Sequence, residues 1–325
     1  MVEPRVLVLG ARGLVGATLL EVLLERGIRG AIGLEKSTDY VPRRDDVAFL
    51  AVSAGASRLL AGSALAAGAR VVDCSSAFRD DDAVPLVVPE VNSRELHRDP
   101  APRLVASPNC SATMLVVGIE PLRSAFGLQH LSVATYQAVS GAGRAAVEEL
   151  ESETRRALDG MPAAPRVYPQ SCAFNVFPHE SPIDAATLCN EEEHKLVIES
   201  RRLWSMPRLS IDATCARVPV RRAHCQAVIA TLARSASLAE VRAALASARG
   251  VELLPDDGAA VASARTATGR DHVQVSRVRW AQSELEQPES ARRRVALWLA
   301  CDQLRKGAAT NAVQIAAELA WIEPR

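Results

Sequence analysis

VLVLGARGLVG, residues 6–16, is a short apolar run that breaks at a glycine turn and resumes as apolar residues at helical spacing. Four apolar residues closed by glycine suit a buried parallel strand. Residues 14–26 carry a helical period and stop at Gly27. Strand, glycine turn and helix in that order form the context in which such a turn binds phosphate. The glycines let backbone approach a pyrophosphate, and the helix N-terminus offers N–H groups and a partial positive charge. The spacing here is GxxGxxG, and a tight turn with a purely structural role is the alternative. Glu35, 19 residues after Gly16, suits the ribose 2′-hydroxyl of NAD. Lys36 and Ser37 follow directly and suit the 2′-phosphate of NADP. The residues alone leave both open, together with a solvated loop.

Outward from this turn, strands are predicted at residues 31–34, 47–52 and 71–74, with a helix at 58–67 closed by Gly68. Strands alternating with helices give right-handed βαβ units and a parallel sheet. That is an α/β, Rossmann-like layout for residues 1–109. After residue 110 the pattern changes. Helices are predicted at 111–124, at the amphipathic stretch 144–158, and after a capping box of Ser237 and Glu240 that Gly250 closes. Strands at 131–139, 228–232, 273–280 and 295–301 lack a helix between every pair. Residues 110–305 therefore read as an α+β domain with a mixed or antiparallel sheet. A last helix, 308–321, lies in a segment, 306–325, that completes the first domain.

Composition excludes several classes. Lys+Arg and Asp+Glu balance at 38 each, so nothing favours nucleic acid or an anionic membrane as partner. No run of 18 apolar residues exists to span a bilayer, and the start has no signal-peptide pattern. Seven scattered cysteines form neither a disulfide framework nor a zinc motif, so no metal is expected. The expected setting is the cytoplasm, with reduced thiols. Only Lys36, Lys195 and Lys306 are lysines among many arginines, as an Arg-rich coding bias would leave them.

Among the cysteines Cys110 stands apart. It follows Ser107-Pro108-Asn109 and opens the helix predicted from Ser111. The positive end of a helix dipole favours a thiolate there. The ordinary fate of a free cysteine, a small buried hydrophobe, fits the other six. Residues 136–143 run from a strand into a glycine-rich turn whose backbone N–H groups can meet an anion or a carbonyl oxygen. Arg217 could clamp a carboxylate with two parallel hydrogen bonds. His224, seven residues on, is of the type that serves as acid/base beside a thiol. Nothing in the residues alone joins His224 to Cys110.

These segments together closely resemble the aspartate-semialdehyde dehydrogenase family. The matching stretches are GARGLVG (10–16), VVDCSSAFR (71–79), VPLVVPEVN (84–92), SPNCSAT (107–113) and TYQAVSGAG (135–143). AFNVFP (173–178), EEEHKLVIESRR (191–202), TCARVPV (214–220) with its histidine, and LRKGAATNAVQIA (304–316) complete them. The agreement covers nearly the whole chain, and 27 residues separate Cys110 from Gln137 as the family requires.

The resemblance implies that Cys110 attacks an acyl phosphate, forms a thioacyl-enzyme and releases phosphate. Hydride from NADPH (NAD remains possible) then yields the aldehyde, a step of amino-acid biosynthesis. His224 is the implied acid/base, and Gln137 orients the acyl group. Arg217 would hold the α-carboxylate and Glu192 the amino group of the substrate. Lys195, Arg79 and Asn109 would hold phosphate. Glu192 and Lys195, three apart, share a face if helical; an ordinary surface pair is the alternative. Gly10, Arg12, Gly13 and Val15 are implied at the pyrophosphate, and Lys36 and Ser37 near the 2′-phosphate. Ser53, Gly55, Ser140, Gly141 and Asn311 would line the rest. A homodimer formed by the second domain is implied as well, and the C-terminal helix would pack on the first.

Three departures mark this chain. The stretch from Ser37 to Val47 is short for the family, and its usual hairpin is missing. Ala223-His224-Cys225 stands for Gly-His-Ser, and Gln303 for Asn. A paralogue acting on another acyl phosphate or a CoA thioester is therefore an alternative, as is a non-catalytic homologue with a binding role.

Overall fold

The computed structural model describes residues 4–255 and 261–323, apart from the side chain of Ser37, so the expectation for that side chain lies outside the described residues. The chain divides into two units. The first runs to Cys110 and resumes at Leu304; the second is Ser111–Gln303.

The first unit is built on five strands: β1 (Val6–Leu9), β2 (Ile32–Leu34), β3 (Val47–Leu50), β4 (Arg70–Asp73) and β5 (Leu104–Ala106). All neighbours pair in parallel, in the order β2-β1-β3-β4-β5. Because successive strand residues point to opposite faces, the unbroken apolar runs make two cores. Val8, Phe49 and Val72 pack under the helix Leu14–Glu25 through Leu19, Val22 and Leu23. Leu7, Leu9, Leu50 and Val71 pack with Leu60, Ala61 and Ala64 of the helix Ala54–Ala66. Val313, Ile315 and Ala316 of the last helix, Thr310–Glu318, join the first of these cores. The strand order reverses direction at β1, so the glycine turn after β1 lies at the carboxyl edge where such sheets bind ligands.

Among the described residues the second unit carries seven strands: β6 (Leu128–Gln137), β7 (Phe177–Pro178), β8 (Ser210–Arg217), β9 (His224–Leu232), β10 (Val251–Leu253), β11 (Val273–Trp280) and β12 (Arg294–Cys301). Their order is β10-β11-β12-β9-β6-β8-β7. The pairs β6–β8 and β10–β11 are parallel and the rest antiparallel, so the sheet is mixed as expected.

Several boundaries differ from the sequence expectation. β6 ends at Gln137 rather than residue 139, because the chain turns there through a 3-10 segment, Val139–Ala142, to Gly143 at φ 95°. The terminal helix begins at Thr310, after a π-helical turn, Arg305–Ala309. Between β2 and β3 the chain makes a 3-10 turn, Ser37–Asp39. β8 and the helix Glu191–Leu203 carry no sequence expectation of their own, for a physical reason. β8 buries Arg217, and the helix buries Glu192 and Glu199 beside Leu196 and Leu203, so neither shows a clean apolar stripe.

The π turn has a polar anchor. Lys306 is 0% exposed, and its ammonium donates to Glu90 Oε2 (2.7 Å), Gln314 Oε1 (2.7 Å) and Asn311 Oδ1 (3.2 Å). Burial raises the Glu90 carboxyl, but the charge and hydrogen bond of Lys306 outweigh it and hold the group below its usual range. Removing one partner of such a pair strands a buried charge. Lys306→Met should lower unfolding free energy by about 3–5 kcal/mol, measured by urea denaturation. Adding Glu90→Leu should restore most of the loss. A single variant within 1 kcal/mol of wild type, roughly the level of an ordinary surface change, would contradict this role.

Candidate active site

Strand register gathers the second unit's chemistry. β6 ends at Gln137, which pairs with Arg217 at the end of β8. On its other side β6 meets the start of β9, where Tyr136 faces Cys225, the residue after His224. His224 itself pairs with Cys301 of β12. Three side chains scattered over the sequence thus arrive at one edge of one sheet. All three are buried: Gln137, Arg217 and His224 are 2%, 1% and 1% exposed.

Their hydrogen bonds interlock through Ala138. Its backbone N–H donates to His224 Nδ1 at 3.0 Å. Its carbonyl accepts from Arg217 Nη1 at 2.7 Å. A backbone N–H can only donate, so Nδ1 is an acceptor and the neutral ring carries its proton on Nε2. Nε2 has no hydrogen-bond partner among the described residues. Burial, then the nearby positive charge of Arg217 and the neighbouring His179, push His224 well below its ordinary pKa. At neutral pH it presents an N–H. Gly141 lies against this edge of the ring: a β-carbon there would sit 3.4 Å from Cε1 and Nε2.

Gln137 Nε2 donates to Glu192 Oε1 (3.1 Å) and Thr135 Oγ1 (3.3 Å). Glu192 is buried in the first turn of the helix Glu191–Leu203, which Asn190 and Glu193 start with a reciprocal capping box. Lys195 is not paired with Glu192; its ammonium reaches Glu191 at 2.6 Å. Arg217 stacks over the Tyr168 ring at 5.4 Å, and two residues with no sequence-level expectation hold its fork. Glu180 accepts from Nε (3.1 Å) and Nη2 (2.6 Å), and His179 Nε2 lies 2.9 Å from Nη2. These follow directly on AFNVFP, and a histidine and an acid after an apolar motif are the only signal the sequence offers.

The departures at residues 223, 225 and 303 are explained here. Gln303 Oε1 accepts from the Ala223 N–H (2.8 Å), and its Nε2 donates to the buried Ser140 hydroxyl. Burial pushes the Cys225 thiol up to about 11, so it is protonated and inert at neutral pH. Ala223 sits at φ 72°, in the left-handed region that favours glycine. Ala223→Gly should therefore stabilise the protein by about 1 kcal/mol, read as a rise in Tm. An unchanged or lower Tm would show that the backbone bears no strain there.

In the first unit Cys110 is the first residue of the 17-residue helix Cys110–Phe126. It and Asn109 close the segment that Arg79 supports, donating to Ser107 O (3.0 Å) and Cys74 O (3.1 Å). Asn311, expected at a cofactor, is 0% exposed; its amide donates to Ser107 Oγ and Val87 O, both at 3.0 Å. It props that segment from the core. At the glycine turn, Gly10 has φ 85°, and a β-carbon would meet Ala51 O at 2.3 Å. One on Gly16 would meet Gly10 O at 2.2 Å. The turn is stitched to β2 by Gly10 and Ala11 N–H groups donating to Leu34 O. Gly13 caps the helix without a side-chain bond, and Val15 lies in the first turn, half-buried. Arg12 and Glu35 form an exposed ion pair at 2.5 Å, and Lys36 beside it is exposed. Ser53 and Gly55, at the start of the helix Ala54–Ala66, are exposed, with open space where a Gly55 β-carbon would be. Among the described residues no cluster of His, Cys, Asp and Glu could hold a metal ion.

All seven cysteines are free, and the Cys172 thiol is pushed up to about 11 by burial, as Cys225 is. Iodoacetamide at pH 7.5 should alkylate Cys110 well before Cys172 or Cys225, followed by peptide mass spectrometry. Earlier labelling of either buried thiol would contradict the assignment.

Comparison with known proteins completes the picture. Residues 30–98 match the family model described as semialdehyde dehydrogenase, NAD binding domain, and residues 119–306 the model described as semialdehyde dehydrogenase, dimerisation domain. The aspartate-semialdehyde dehydrogenase of Synechocystis sp. is 37% identical over 343 residues, 98% of each chain. The crystal structure of aspartate semialdehyde dehydrogenase II from Vibrio cholerae superposes with a TM-score of 0.89 at 33% identity, covering 97% of this chain and 98% of that one. The same enzyme solved in complex with ASA gives 0.88 at 33% identity, over 98% and 99% of the two chains. With both domain models matched and relatives similar over nearly the full length, the chain belongs to the aspartate-semialdehyde dehydrogenase family.

Proposed function

We propose that this chain reduces L-aspartyl 4-phosphate to L-aspartate 4-semialdehyde, using NADPH and a thioacyl intermediate on Cys110. The observation that carries the reading is the register-built set of Gln137, Arg217 and His224, with the His224 Nε2 proton free to donate. Similarity to aspartate-semialdehyde dehydrogenases over 98% of the chain supports the substrate.

Cys110 supplies the sulfur. Its thiolate, favoured at the first residue of a long helix, forms a C–S bond as the C–O bond to phosphate breaks, and phosphate leaves with the electron pair. When bound, the reduced nicotinamide supplies the hydride that converts the thioester carbonyl to a thiohemiacetal oxyanion. That oxyanion then expels the Cys110 thiolate and becomes the aldehyde. His224, neutral with its proton on Nε2, donates a hydrogen bond to the oxygen on which charge develops in both halves. In this resting tautomer the acid/base role implied by the resemblance is that of a donor. Gln137 orients the acyl group from an amide fixed by Glu192. Arg217 takes the α-carboxylate and Glu192 the amino group. Lys195, Arg79 and Asn109 serve the phosphate.

The glycine turn suits a dinucleotide, since a β-carbon at Gly10 or Gly16 would collide with backbone where the chain must fold tightly before the helix. Gly10, Gly13 and Val15 would hold the pyrophosphate, and Ser53, Gly55, Ser140 and Gly141 the remainder. NADP is favoured over NAD because Arg12 already neutralises Glu35, leaving Lys36 for a 2′-phosphate. Ser37 completes that assignment. The second unit is assigned to dimerisation: exposed Phe174, Val176, Ile183 and Leu188 crowd one stretch of it. Free thiols suit the cytoplasm.

The test is NADPH formation from L-aspartate 4-semialdehyde with phosphate present. Wild type should turn over, Cys110→Ser should be inactive, and His224→Ala should lose about 10²–10³ in kcat, as for one oxyanion donor. No turnover with NADP or NAD by a folded wild type would sink the proposal.

A further inference from the structure

Arg217 offers five N–H donors. Two edges of the guanidinium can grip a carboxylate with parallel bonds: Nε with Nη2, and Nη1 with Nη2. Glu180 holds the first edge, through Nε at 3.1 Å and Nη2 at 2.6 Å. The second is divided between Ala138 O, on Nη1 at 2.7 Å, and His179 Nε2, on Nη2 at 2.9 Å. Neither edge is open to a second carboxylate. Of the three partners, Ala138 O is backbone just past the end of β6, and the His179 ring is held at its other nitrogen by the Ser181 hydroxyl and N–H. Glu180 alone is a carboxylate, sits beyond β7 in a loop, and keeps a side chain 18% exposed. It is the exchangeable partner.

We propose that Glu180 is a specificity-determining residue: its carboxylate is an internal competitor for Arg217, and a substrate carboxylate binds only by displacing it. This rests on the reading of Arg217 as the holder of that group. The charges agree. Glu192 already acts on the same guanidinium, so a substrate carboxylate and its ammonium would put three anions against two cations unless Glu180 leaves. Lys195 gives little relief, since Glu191 engages it. An acyl group bearing an ammonium and no carboxylate escapes the competition altogether. The consequence is a weakened hold on amino-acid-type substrates relative to their decarboxylated counterparts.

The experiment compares wild type with Glu180→Gln, which keeps one acceptor for Arg217 but loses the charge, and with Glu180→Asp, which keeps the charge on a shorter arm. Folding is checked by Tm. Two unreactive probes are titrated by thermal shift: L-2-aminobutyrate, which has an α-carboxylate, and n-propylamine, its decarboxylated counterpart. Glu180→Gln should bind aminobutyrate about tenfold more tightly, as expected when an internal ligand fills a site about nine-tenths of the time. Propylamine should bind wild type and variant alike. KM for L-aspartate 4-semialdehyde should fall by the same factor, and Glu180→Asp should move in the same direction. Equal or weaker aminobutyrate binding by both folded variants would overturn the proposal and make Glu180 a structural prop of Arg217. A wild type without turnover would instead overturn the aspartyl reading, and the probe titrations still decide the role of Glu180.

Discussion

A buried guanidinium at the end of β8 sets the terms for the whole second unit. Arg217 is 1% exposed, so its charge is offset by Glu180 and its donors are met by Ala138 and His179. Its field helps keep His224 neutral. Through the Ala138 carbonyl it also fixes the peptide whose N–H locks the His224 tautomer. Register then does the rest, since Gln137 pairs directly with Arg217 and β9 begins at His224. Change the register by one residue and every one of these side chains turns to the other face.

The first unit depends on a tighter constraint. Gly10 and Gly16 sit where any side chain would strike backbone within 2.3 Å, so the turn admits only glycine. Behind it, Lys306 and Asn311 tie the returning C-terminal segment to Glu90 and Ser107, just ahead of Cys110. The lysine with the deepest role is thus the one to which the sequence pattern attaches no chemistry.

Much of this was legible from residues alone. The parallel sheet could be read because its strands are unbroken apolar runs between glycine-closed helices. The mixed character of the second sheet followed from strands lacking helices between them. Cys110 could be singled out because it opens a helix. Part of what stayed hidden has one cause: a buried charge breaks the apolar pattern that marks an element. β8 and the helix Glu191–Leu203 were obscured in this way, by Arg217, Glu192 and Glu199. Glu180 was invisible for another reason, since it is a loop residue whose partner lies 37 positions away. The proton position on His224 depends on a backbone donor that no spacing rule reports.

The central claim is a covalent acyl group on Cys110. Mixing the enzyme with L-aspartate 4-semialdehyde and NADP in the absence of phosphate isolates that half-reaction. The account predicts a burst of NADPH equal to the number of active sites, with an aspartyl adduct on the Cys110 peptide by mass spectrometry. Phosphate-dependent turnover with no burst and an unmodified Cys110 would contradict it.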